Sequence, residues 1–62
     1  MLVAQADLRR VERARRALEE ARLDLTAAIV AAWKSGESYQ DIGRAAGMSK
    51  QRVGQIVKEV RP

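Results

Sequence analysis

Sixty-two residues make one domain at most, near the smallest chain that buries enough surface to fold unaided, and association with a second copy is the cheapest remedy. With no cysteine and no histidine, disulfides, thiolate metal sites and imidazole acid–base chemistry are excluded together. Twelve Lys and Arg against eight Asp and Glu leave a net charge of +4, which favours polyanionic partners such as nucleic acid.

No apolar run approaches the roughly 18 to 20 residues of a membrane span, and the N-terminus lacks the charged-then-apolar order of a signal peptide. The expected setting is soluble and cytoplasmic, with no cofactor, no metal and no membrane partner. Trp33 and Tyr39 are the whole aromatic supply. That argues against a single-strand binder, which stacks bases on several exposed rings.

From Leu2 to Lys34 there is neither glycine nor proline, and Ala, Leu, Arg and Glu, the strongest helix formers, dominate. The stretch predicts one long helix; a break near Asp24 to Thr26 is the alternative, since either residue can cap a new helix. Taking Val11 as heptad position a places Ala4, Val11, Leu18, Leu25 and Ala32 at a, with Asp7, Ala14, Ala21 and Ala28 at d. Leu8 and Ile29 widen this seam at its ends, and Arg15 and Arg22 hold the equivalent positions between them. Large side chains along one edge and alanines along the other let two helices approach closely. Ala4, Leu8, Val11, Ala14, Leu18, Ala21 and Leu25 are therefore the expected homodimer interface. Packing of the helix back onto its own domain is the plainer alternative, but the residues that follow are too few to cover about 45 Å of helix. An alanine-rich seam suits a close antiparallel pair, with a parallel pair left open.

Arg9, Arg10, Arg13, Arg15 and Arg16 form a basic cluster interleaved with and followed by Glu12, Glu19 and Glu20. Glu12–Arg16 and Arg16–Glu20 are i, i+4 pairs, each worth about 0.2–0.5 kcal/mol. A solvated helix face is the first reading; a DNA-backbone contact or an inter-helix ion pair is the second. Beyond Leu25, "LTAAIVAAW" is apolar nearly all round, as where a helix enters a core from more than one side. Trp33 is read as a core or hinge residue. "KSGES" then ends the helix, with Gly36 suited to the left-handed position after its last turn.

Ser38 precedes a short helical stretch and has Asp41 three residues on, a capping box with the shorter acid. Ser49 precedes a second stretch and reads as another N-cap. The two predicted helices, about 39–46 and 50–60, are joined by "GMS", a three-residue turn led by glycine. Pro62 signals a helix stop.

"YQDIGRAAGMSKQRVGQIVK", Tyr39 to Lys58, resembles the twenty-residue helix-turn-helix of bacterial and phage repressors, and its second half is similar to the recognition segment of sigma-factor region 4. That pattern asks for apolar residues at its fourth, eighth, tenth, fifteenth and eighteenth places, a tiny fifth and a glycine ninth. Ile42, Ala46, Met48, Val53 and Ile56 fill the apolar places, with Gly43 and Gly47 at the others. The physical reasons stand beside the resemblance. The five apolar residues fall on inward faces of two steeply crossing helices, Gly43 lets those helices come close, and Gly47 can take the positive φ of a tight turn.

The expected fold is all-α: a long N-terminal dimerisation helix over 1–34 leads into a trihelical helix-turn-helix unit completed by 35–62. The resemblance implies that the helix from Lys50 enters the major groove of duplex DNA, with base contacts from Lys50, Gln51 and Gln55. Glutamine pairs bidentately with adenine and lysine donates to guanine; Lys50 as a phosphate contact stays open. Gly54 falls on the outward side in that pattern, where its missing side chain would let the helix sit deep in the groove. Ser38, Tyr39, Gln40, Arg44, Ser49, Arg52 and Lys58 are the expected phosphate contacts, plain solvation being the alternative for Arg44 and Lys58.

The implied function is sequence-specific duplex-DNA binding by a homodimeric small transcriptional regulator, a repressor acting on the nucleoid. Two alternatives compete: an architectural or recombination accessory protein, and a sigma-like adaptor whose long helix binds RNA polymerase. An enzyme is not expected. Ser35, Ser38 and Ser49 lack an activating base, and the carboxylates sit among arginines at helix-pair spacing.

Overall fold

Residues 2–60 are described by the computed structural model, with side chains from Ala6 to Val60. Three helices follow in order: α1 (Leu2–Lys34), α2 (Tyr39–Ala46) and α3 (Lys50–Val60). The interface position Ala4 has its side chain outside the described residues, as does the expected stop at Pro62.

α1 is a single helix of 33 residues and runs through Asp24–Thr26 without a break. Neither Asp24 nor Thr26 caps there, because no glycine or proline interrupts the ladder and unbroken i→i−4 bonding satisfies more backbone groups than a new start would. Its C-terminus closes as a Schellman turn. The Gly36 amide donates to the Trp33 carbonyl at 3.0 Å and the Glu37 amide to the Ala32 carbonyl at 3.1 Å. Gly36 sits at φ 97°, which a side chain would resist.

α2 starts at Ser38, whose extended backbone lets Oγ accept from the Asp41 amide at 3.1 Å. It ends at Gly47, φ 72°, where the Met48 amide donates to the Gly43 carbonyl at 2.9 Å. Ser49 caps α3 in the same way as Ser38 caps α2, its Oγ accepting from the Arg52 amide at 3.1 Å. Each end of the turn is thus held by a local side chain or a left-handed glycine. The connection stays short because of it.

The turn folds back tightly enough that a Cβ at position 43 would lie 2.6 Å from the Met48 carbonyl oxygen. Glycine there is a packing requirement: the obstacle is backbone, which cannot swing aside as a side-chain tip can.

Ile29 from α1, Ile42 from α2 and Val53, Ile56 and Val57 from α3 are buried together. Ala32, Trp33, Tyr39, Ala46 and Met48 pack around them. Each helix touches both others, but α1 does so only with its last turns. From Ala6 to Leu25 every side chain of α1 is exposed. The result is an arm and a bundle, 53 Å long and 24 by 16 Å across. Among the described residues, no helix is long and apolar enough to cross a membrane.

Candidate nucleic-acid interface

α3 is amphipathic by simple spacing. Val53, Ile56 and Val57 turn inward, which leaves Lys50, Gln51, Arg52, Gln55 and Lys58 exposed on the other side. A shallow cleft on that side is lined by Tyr39, Lys50, Gln51, Gly54, Gln55 and Lys58. The structure therefore brings the three expected base-contacting side chains together with Tyr39 and Lys58. Ser38, Gln40, Arg44 and Ser49 are exposed outside this cleft lining.

Four of the expected contact side chains are already partly engaged. Arg52 Nη1 donates to Gln55 Oε1 at 3.5 Å, a long bond on the surface. It leaves the Gln55 amide nitrogen and the rest of the guanidinium open to a ligand. The Ser38 and Ser49 hydroxyl oxygens accept from backbone amides, yet each hydroxyl keeps its own proton to donate.

Gly54 requires a correction. It lies on the outward side of α3, in the lining of the cleft, but it is not bare there: Gly54 is buried, and the cover is the Tyr39 ring. A Cβ at position 54 would lie 3.1 Å from Tyr39 Cε2 and 3.4 Å from Cδ2. The aromatic side chain that opens α2 packs over α3 where α3 has no side chain. So Gly54 is not a bare strip of helix facing solvent: it is the floor on which Tyr39 rests. A leucine there would have to displace the ring, so helix propensity alone does not set the effect of substitution.

Tyr39 consequently couples the start of α2 to the middle of α3, and its ring is one wall of the cleft that Lys50, Gln51 and Gln55 surround. Ile42, Gly43, Val53 and Ile56 are buried; Ala46 and Met48 are half-buried. Val57, 1% exposed, was missing from the expected core although it is as buried as any side chain but Val53. Its signal was the i, i+4 step from Val53, which the family pattern does not use.

Charge is sorted between the faces of the bundle. The cleft by Tyr39 carries Lys50 and Lys58 and no acid, whereas Glu37 and Asp41 lie on a different groove, between α1 and α2. Of the expected dimer positions, Leu8, Val11, Ala14, Leu18, Ala21 and Leu25 are all exposed on α1. Among the described residues no cluster of His, Cys, Asp or Glu could hold a metal ion. No family model, curated protein or solved structure matches the chain.

Proposed function

We propose that the protein is a homodimeric, sequence-specific binder of double-stranded DNA, a small transcriptional regulator that represses by occlusion. One observation carries the reading: a glycine-tightened turn, with Gly43 against the Met48 carbonyl, presents a helix whose outward side holds cations and amides and no acid until Glu59. α3 would lie in the major groove with Lys50, Gln51 and Gln55 toward base edges, each good pair contributing about 1–3 kcal/mol of discrimination. Tyr39, Ser38, Gln40 and Ser49 would position the backbone with Arg44, Arg52 and Lys58. A single unit reads few base pairs, and the exposed apolar stripe of α1 is the element that would join two of them.

Selection of bound duplexes from a random pool tests this, repeated with Gln51→Ala. The wild type should enrich a defined site, and the variant should lose preference at one or two positions of it. Equal affinity for all duplexes overturns the reading. The same exposed stripe also suits a helical partner such as a subunit of RNA polymerase. A monomer at micromolar concentration in sedimentation, with weak duplex binding, would favour that adaptor role.

A further inference from the structure

The groove between α1 and α2 is apolar and open, lined from α1 by Leu25, Ala28, Ile29 and Ala32 and from α2 by Ile42 and Ala45. It is continuous with the exposed stripe of Leu8, Val11 and Leu18, because Leu25, Ala28 and Ala32 belong to the same heptad seam. One strip of apolar surface thus runs from Leu8 into the bundle. Its charge is lopsided. The stretch from Leu8 to Arg16 carries five arginines and one glutamate, while the groove carries Glu37 and Asp41 with Asp24 close by on α1.

We propose that a second copy occupies this strip in antiparallel orientation, with Val11 of each protomer over the partner's Ala28 and Leu8 of each seated in the partner's groove. This rests on the homodimer reading above and fixes its geometry. The register follows from matching sizes. With Val11 over Ala28, Leu18 falls on the partner's Ala21 and Leu25 on the partner's Ala14, so each of these layers pairs a large side chain with a small one. The basic stretch from Leu8 to Arg16 then lies along the partner's acidic groove. A parallel pair does the opposite on every count. It sets that arginine-rich stretch against its own copy, places Asp7 opposite the partner's Asp7, and stacks leucine on leucine and alanine on alanine in alternate layers.

The arrangement has a consequence for DNA. In an antiparallel pair, e positions of both helices share one flank, whereas in a parallel pair e faces g. Ile29, the α1 residue most deeply buried by α2 and α3, is an e position. Both bundles would stand on the same flank of the dimer. About 20 residues of helix separate the two Ile29 positions along the axis, roughly 30 Å at 1.5 Å per residue. That is close to the ~34 Å between half-sites one turn of B-DNA apart.

Because the chain has no cysteine, introduced pairs report register directly. Val11→Cys with Ala28→Cys in one chain should oxidise to a covalent dimer in most molecules, since the two positions are about 25 Å apart within a single helix and cannot bridge internally. Val11→Cys alone should not cross-link, and Asp7→Cys with Leu25→Cys, which align only in a register shifted by one heptad, should do so far less. Selected duplexes should carry inverted half-sites about 10 base pairs apart, centre to centre. Cross-linking by Val11→Cys alone would overturn the antiparallel arrangement and leave a DNA-binding dimer standing. Preference for the 7/25 pair would overturn the register. A monomer in sedimentation with no cross-link would overturn arrangement and homodimer together. A strong 11/28 cross-link with no duplex preference would support the pairing and remove the DNA reading alone.

Discussion

From Ala6 to Leu25, α1 is helix with every side chain exposed, whereas from Ile29 to Val57 the chain buries a core from three helices and tolerates four glycines beyond the end of α1. The first region is held by local terms: strong helix formers and an i, i+3 ion pair between Arg22 and Glu19 at 3.7 Å. The second has poor local propensity and is held by contacts between elements. Ladder and packing are therefore separable here. Damage to the bundle should unfold it, and damage to the arm should leave a folded chain that has lost a partner.

The largest effect should come from Gly43→Ala. A Cβ 2.6 Å from the Met48 carbonyl oxygen forces the turn apart, and neither backbone can yield without opening the core around Ile42 and Val53. A loss of about 2–3 kcal/mol is expected despite the gain in helix propensity. For so small a core that is much of the total stability. Thermal unfolding checks it: a melting temperature unchanged from wild type would mean the turn is looser than it stands here.

Leu18→Lys is the complementary break in the arm. Leu18 is 62% exposed in the single chain, so its loss should change the stability of an isolated chain by less than about 0.5 kcal/mol. In a dimer the same change removes two leucines from the seam and adds a cation beside Arg15 and Arg22. Dissociation should become easier by about 100-fold, read by sedimentation across a dilution series. If instead the monomer melts several degrees lower, the arm is contributing to the bundle and the separation of the two regions fails.

Legibility in the sequence follows the same division. Ser38, Ser49, Gly36 and Gly47 marked the helix ends because capping and left-handed φ are local chemistry, complete within five or six residues. The long first helix was likewise readable from composition, and its continuity through Asp24–Thr26 followed from what was missing there. The contact of Tyr39 with Gly54 was not readable. It joins residues on different helices and depends on a crossing angle that no local pattern specifies, and so Gly54 reads from the sequence as bare helix surface although Tyr39 covers it. The groove between α1 and α2 was hidden for the same reason: Glu37, Asp41 and Ala45 belong to it only once α2 has turned back along α1.

A smaller change should follow from Lys58→Ala, which takes one cation from the cleft without touching the core. If Lys58 meets a phosphate, affinity should fall alike for every duplex and the slope of log K against log salt should lessen by about 0.9. Unequal losses across sequences would place Lys58 at a base edge.

The smallest effect tests the seam between local and tertiary control, at Gly54. On propensity alone, Gly54→Ala should stabilise α3 by about 1 kcal/mol. The added Cβ would sit 3.1 Å from the Tyr39 ring, so the ring must withdraw by a few tenths of an ångström and give up part of its contact. In the wild-type background the two terms should nearly cancel. With Tyr39→Ala already present, nothing opposes the Cβ, and Gly54→Ala should then stabilise by the full propensity term. The double-mutant cycle should therefore show a coupling of about 0.5–1 kcal/mol between positions 39 and 54. A cycle that closes to zero would mean the ring does not rest on α3. Duplex affinity adds a separate reading: if Tyr39 forms a wall of the DNA-facing cleft, Gly54→Ala should weaken binding even where stability is unchanged.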